Sequence, residues 1–203
     1  MKTKTIYSSE KDFQKLRENG FKLNVGDKIK LSFCLPGKEG LYPPVECHKE
    51  GATLIQKKDG DLLFVMDRVI FNGAVDTKER KVYAKTELAQ YLENEVKEAL
   101  NSALGVLGKI TEVRLLSVGE VFGASEFSEF ANCEDKRLKY FKKGNHRIAF
   151  NKNEDYSRWW WFSTPTKFEP TIFCSCNDSG YAVYSSAGDS SNGVRFAFLI
   201  QYL

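Results

Sequence analysis

The chain has 203 residues, 42% hydrophobic and 13% aromatic, which is enough apolar material for one sizeable core and too much for an extensively disordered chain. Its 30 basic residues face 27 acidic ones, so the formal charge of +3 gives no field of the kind that backbone-driven nucleic-acid binding needs, and no nucleic-acid partner is expected. No apolar run approaches the roughly 20 residues of a membrane helix, so no membrane insertion is expected either.

The opening stretch, MKTKTIYSSEKDF, lacks the apolar segment of a secretory signal peptide, which leads us to expect a protein that does not use the Sec route and is cytoplasmic or virion-associated. Residues 1–24 read as an N-terminal segment with one short, peripheral helix. Ser9 is its N-cap, Asp12 can reach back toward it, and Gly20 closes it. In 25–34, Ile29, Leu31 and Phe33 alternate with Lys28, Lys30 and Ser32, as in a half-buried strand. Between 52 and 71, two β-rich runs flank Asp59-Gly60, a strong hairpin signal, and 62–66 reads as an interior strand.

Thr86 is a candidate N-cap for a helix reaching to about residue 104, because Leu88, Tyr91, Leu92, Val96, Ala99, Leu100 and Ala103 recur at spacings of three and four. A short strand at 113–116, a turn at 117–123, and a largely irregular stretch over 125–153 with a helical turn near 138–141 follow. The apolar run GVRFAFLIQYL predicts a closing strand over 193–201. Strands, one long helix and then strands again, without repeated βα alternation, predict an α+β fold.

The five cysteines, Cys34, Cys47, Cys133, Cys174 and Cys176, are odd in number and scattered, which predicts thiols in a reducing compartment rather than a disulfide framework. Cys174 and Cys176 would share one face of a strand. A zinc site there would need two further ligands, and His48 and His146 stand at no ligand-like spacing, so no metal or cofactor is expected. No Gly-rich phosphate loop, HExxH or GxSxG motif occurs, and we assign no catalytic residue. Nothing in the sequence bears on oligomeric state.

Two features of the last 50 residues need separate readings. In the run Trp159-Trp160-Trp161-Phe162, strand alternation predicts that one parity is buried and the other lies under a neighbouring loop. Arg195, flanked by Val194 and Phe196, reads as an arginine that holds a carboxylate or loop carbonyls from inside.

Three blocks, residues 114–123 (RLLSVGEVFG), 159–165 (WWWFSTP) and 193–200 (GVRFAFLI), resemble a bacterial and phage family of unknown function whose members carry LLS..E.FG, WWLRSP and GVRPAF in this order. The chain departs from that pattern at Phe196, where proline is usual. The family in turn resembles the C-type-lectin-like fold shared by formylglycine-generating enzymes and the variable proteins of diversity-generating retroelements. The resemblance implies an α+β, C-type-lectin-like domain over 25–203. The cysteine pair of the formylglycine-generating relatives is not matched, since a single residue separates Cys174 from Cys176. Phe168-Glu169-Pro170-Thr171 is similar to the Glu-Pro-Asn calcium and sugar motif of lectins, except that Thr171 replaces the amide ligand.

Residues 174–192 (CSCNDSGYAVYSSAGDSSN) are built mainly from Ser, Asn, Asp, Tyr and Gly, the vocabulary of adaptable binding surfaces and equally of solvated turns. The resemblance adds that retroelement variable segments, randomised at template adenines in Asn codons, never contain Lys, Glu, Gln, Met or Trp, and this segment contains none. The expected function is therefore a non-catalytic display protein that recognises a protein or glycan on a cell surface. Its expected contacts are Trp160, Ser163, Thr164, Asn177, Asp178, Tyr181, Tyr184, Ser185, Ser186, Asp189 and Ser191. The alternative is a divergent enzyme of the formylglycine-generating type, or a structural protein without a specific ligand.

Overall fold

A computed structural model of the chain describes residues 6–7, 9–18, 22–78, 80–104, 107–123, 131, 136–152 and 154–201. The expected positions of Gly20 and Cys133, and most of 125–135, lie outside the described residues.

Strand β1 (Ile6–Tyr7) pairs in parallel with β2 (Lys28–Leu35), and helix α1 (Glu10–Glu18) lies between them in sequence. Ser9 Oγ accepts from the Asp12 amide at 3.1 Å, while Asp12 Oδ2 accepts from the Ser9 amide at 3.1 Å, so the two residues satisfy each other's helix-start groups. Phe13, Leu16 and Leu23 are buried in the main core, so the segment before residue 25 packs against the rest of the chain and is not peripheral.

Strand β2 alternates buried and exposed positions as its sequence does. It pairs with β3 (Val45–Lys58), which turns through Asp59-Gly60 into β4 (Asp61–Met66). Both turn residues have positive φ, 43° and 90°, as a two-residue type I′ hairpin requires. Short strands β5 (Arg68–Val69) and β6 (Phe71–Asn72) follow.

The predicted helix is present as α2 (Glu87–Tyr91), a π-helical turn over Leu92–Val96, and α3 (Lys97–Leu104). Thr86 caps it by accepting from the Ala89 amide at 3.2 Å, and Leu88, Tyr91, Leu92, Val96, Leu100 and Leu104 are fully buried. Strand β7 (Lys109–Arg114) begins earlier than the sequence suggests.

Where a turn was expected at 117–123 there is helix α4 (Val118–Phe122). Ser117 and Glu120 form a reciprocal capping box, and Glu120 also receives both terminal nitrogens of Arg114 at 2.7 Å. The block 114–123 thus encodes a strand end, a cap and a short apolar helix tied by one bidentate ion pair.

The remaining strands are β8 (Ala149–Asn151), β9 (Ser157–Arg158), β10 (Trp160–Pro165), β11 (Ile172–Cys176), β12 (Ala182–Ser186), β13 (Gly193–Val194) and β14 (Ala197–Gln201). Among the described residues the fourteen strands build three sheets: β1-β2-β3-β4-β14-β7, β12-β11-β10-β13-β6, and β5-β8-β9. The fold is a mixed α+β fold.

The closing strand is interrupted. Val194 pairs with Phe71 in the five-stranded sheet and Ala197 pairs with Val65 in the six-stranded one, so Arg195-Phe196 is where the chain passes from one sheet to the other.

Two apolar clusters lie on opposite sides of the central strands. Phe64, Phe198, Trp161 and Phe173 belong to one, which the long helix covers; Val65, Ala197, Trp160 and Phe162 belong to the other, which α4 and Phe141 cover. Burial on both faces explains why LLFVM, WWF and AFLI are continuous apolar runs rather than alternating ones. It also corrects the expectation for the tryptophans. Both parities of β10 are buried, and only Trp159, before the strand begins, reaches the surface.

Candidate ligand-binding site

Buried polar groups lock the scaffold under the C-terminal loops. Trp160 Nε1 donates to the Arg147 carbonyl and Trp161 Nε1 to the Gly73 carbonyl, each at 2.8 Å. Arg195, only 2% exposed, donates from Nε to the Met66 carbonyl at 2.9 Å and from its guanidinium to the His146 carbonyl at 3.1 Å. It therefore holds two backbone carbonyls, that of Met66 at the end of β4 and that of His146, rather than a carboxylate. Burial pushes its pKa down from the usual arginine value.

Gly193 is where backbones meet. A Cβ there would come within 2.5 Å of Val69 Cγ1 and 2.9 Å of the Trp159 carbonyl, which accepts from the Gly193 amide at 2.8 Å.

Three segments converge around this junction: Tyr156 to Trp159 leading into β10, the β11–β12 turn, and the β12–β13 loop. Asn177 shapes the turn, since its Oδ1 accepts from the amides of Ser179 at 3.0 Å and Tyr181 at 2.9 Å, and Gly180 follows with φ of 83°. Asp189 shapes the second loop, because its Oδ1 accepts from the Ser191 amide at 2.8 Å and the Ser191 hydroxyl at 2.7 Å. Buried Ala187 anchors that loop by donating to the Thr171 carbonyl and accepting from Val75 and Asp76. Side-chain hydrogen bonds of Asn177 and Asp189 and the backbone bonds of Ala187 thus shape the two loops.

Between the segments lies an open cleft of about 390 Å³ lined by Tyr156, Ser157, Arg158, Trp159, Asp178, Asp189, Ser191 and Asn192. Trp159 is 39% exposed, and Tyr156 is also exposed. The Arg158 guanidinium sits 5.2 Å from the centroid of the Tyr156 ring. A hydrogen bond with Glu154 raises the Tyr156 phenol above its ordinary pKa. Asn192 is 3% exposed, and its Nδ2 has no hydrogen-bond partner, nor has Arg158 Nε. Unpartnered buried donors are uncommon in native proteins and cost free energy.

The expected contact residues separate into three groups. Asp178, Asp189 and Ser191 line the cleft, with Asn177 behind them as the turn organiser. Tyr181 and Tyr184 are 67% and 58% exposed but do not line it. Along edge strand β12, Tyr184 and the exposed Ser186 share one face, and half-buried Ser185 takes the other.

The third group belongs to the scaffold, which is a correction. Trp160 is fully buried, and Thr164 is 5% exposed with its Oγ1 accepting from the Val118 amide at 3.1 Å. Ser163 is half-buried and its amide donates to the Leu116 carbonyl at 2.9 Å. These positions fall inside a strand covered on both faces, so Trp160 and Thr164 have no side chain to offer a ligand.

Sequence reasoning did not single out Tyr156, Arg158, Trp159 and Asn192, which line the cleft. A usable signal was present for two of them: Trp159 precedes the first residue of the buried run, and Asn192 abuts a glycine that tolerates no side chain.

None of the described cysteines lines the cleft. Cys34, Cys47, Cys174 and Cys176 form no disulfide, and burial pushes the Cys176 thiol up to about 12 although Arg195 and Arg147 oppose it. Among the described residues no group of three or more His, Cys, Asp and Glu gathers as a metal site, and no helix is long and apolar enough to cross a membrane.

Residues 108–202 are similar to a protein family described as a domain of unknown function (DUF6273). That stretch contains all three sequence blocks as well as the cleft. No curated protein and no solved structure matches the chain.

Proposed function

We propose that this protein is a non-catalytic ligand-binding module of the C-type-lectin-like kind, which presents its C-terminal loops to a protein or glycan on a cell surface. The cleft at Trp159 carries the reading. Two loops, one stiffened by Asn177 and the other by Asp189 and Ala187, meet the Tyr156–Trp159 segment over a core pinned by Trp160, Trp161 and Arg195, and together they leave aromatic and carboxylate groups accessible. Preorganised loops on a rigid sheet lower the ordering cost of binding. Asp178, Tyr181, Tyr184, Asp189 and Ser191 are the contacts of this surface. In this reading the module is phage- or prophage-borne, a variable protein of a diversity-generating retroelement or a receptor-binding module, and cytoplasmic or virion-associated.

Adsorption of the labelled protein to bacterial cell envelopes tests the proposal. Replacing Asp178, Tyr181 and Tyr184 together by alanine should abolish adsorption, whereas replacing exposed Glu98 and Ser102 on α3 should not. Equal adsorption by both variants would contradict it. The retroelement origin has its own test: a neighbouring reverse transcriptase gene and a near-copy of the final coding segment.

A further inference from the structure

A second surface adjoins the recognition loops and uses none of the contacts named above. Residues 136–147 (KRLKYFKKGNHR) contain six Lys and Arg residues and no Asp or Glu. The chain closes on itself there. Arg137 Nε donates to the Phe122 carbonyl at 2.6 Å, the Arg147 guanidinium lies 4.7 Å from the centroid of the Phe122 ring, and Arg147 Nε donates to the Phe141 carbonyl at 3.2 Å. Both ends of the loop are thus held at the last residue of α4, while Phe141 is buried in the core beneath. Residues three apart eclipse in a 3-10 helix, so Lys139 and Lys142 share one face of the turn over Lys139–Lys142. Lys136, Lys139, Lys142 and Lys143 are exposed, and among the described residues none of the four forms an ion pair.

Charge is distributed unevenly about the sheets. The long helix over the opposite apolar cluster, residues 87–104, carries four Glu and one Lys, so the formal charge of +3 conceals a basic face and an acidic one. Such a molecule turns its basic side toward a polyanion. Arg137 and Arg147 each give Nε to a carbonyl, which takes one edge of the planar fork out of use, and the four ammonium groups are point charges of the kind that binds phosphate. The neighbours set the shape of the ligand. A Cβ on Gly180 would meet the Gly144 carbonyl at 3.3 Å, so the basic loop abuts the β11–β12 turn, which exposes Asp178. A flat anionic bilayer pressed on the lysines would also press on that carboxylate, whereas a narrow chain can follow the loop and avoid it.

We infer that the loop 136–147 is a docking surface for a linear phosphodiester polyanion of the cell envelope, held through Lys136, Lys139, Lys142 and Lys143. This step rests on the binding-module reading above only for the place where such a chain is met. A chain docked beside the β11–β12 turn raises the effective concentration of the recognition loops at the envelope.

Titration of the purified protein into fluorescently labelled poly(glycerol phosphate) tests this directly. The wild type should bind, and its affinity should fall steeply between about 50 and 300 mM salt as the screening length shortens. Lys139→Gln, Lys142→Gln and Lys143→Gln together should weaken binding by about tenfold or more while melting with the wild type. The same loss of charge at exposed Lys11, Lys15 and Lys30 should leave binding within about twofold. No binding by the wild type, or an equal loss in the two triple variants, overturns the proposal. A single-stranded oligodeoxynucleotide of matched phosphate number that binds more than about tenfold tighter than the polymer overturns it in favour of nucleic acid. Binding to vesicles of phosphatidylglycerol and phosphatidylcholine without binding to the polymer overturns it in favour of a bilayer. The two readings fail separately: adsorption to envelopes without polymer binding removes this one and leaves the module standing, and polymer binding without adsorption does the reverse.

Discussion

The guanidinium carbon of Arg195 lies 4.9 Å from the centroid of the Trp160 ring, and both side chains are buried where the chain crosses from the five-stranded to the six-stranded sheet. A stacked, bidentate-capable cation holds the Met66 and His146 carbonyls at that crossing without any carboxylate. Arg195→Ala should therefore lower the unfolding free energy by about 3 kcal/mol, since it strands two carbonyls and opens a cavity beside Trp160. Arg195→Lys should not restore it, because an ammonium cannot reach both carbonyls while stacking. Urea denaturation of the two variants checks both statements, and a loss under about 1 kcal/mol would show that the crossing is held by apolar packing alone.

Glu50 supplies a prediction in pH. Partial burial raises its pKa above the usual carboxylate value despite the nearby cations Lys152 and Arg68. A group whose folded pKa exceeds its unfolded one contributes stability that is complete below the unfolded pKa and is lost as pH rises through the folded pKa. Glu50→Gln should thus stabilise the protein at neutral pH, by under about 1 kcal/mol given solvent screening, and the gain should vanish below the carboxylate range. Thermal melts of both proteins across that range measure it.

Cysteine reactivity should follow burial. Cys34 is exposed, whereas burial pushes the Cys47 and Cys176 thiols up to about 12. Native protein treated with iodoacetamide should carry the label at Cys34 and not at Cys47 or Cys176, and unfolding should expose the latter two. Peptide mass spectrometry reads the outcome.

Local signals were legible in the sequence where a single residue type decides the geometry. Asp59-Gly60 set the hairpin, Ser9 and Thr86 set helix starts, and the Leu88 to Leu104 spacing set the long helix. Helix α4 was missed, although Ser117 and Glu120 spell a capping box, because only five residues follow the cap before Gly123. Strand alternation failed at β10 because it presumes one wet face, and this strand lies between two cores. The cleft was legible only in part. Asp178, Asp189 and Ser191 carry the composition of a recognition loop, but their meeting with Trp159, Arg158 and Asn192 depends on three segments brought together by the β10–β13 and β10–β11 pairings. No spacing in the chain encodes that.

Adjacent tryptophans provide the most direct test that a rigid scaffold displays a separate recognition surface. Trp160→Ala should destabilise the fold by about 3–5 kcal/mol, as large core truncations do. Trp159→Ala should leave the melting temperature nearly unchanged and abolish adsorption to cell envelopes. Measuring both properties on both variants decides the matter: stability lost at Trp160 with binding lost at Trp159 is the result expected, and a Trp159→Ala protein that still adsorbs like the wild type would contradict the account.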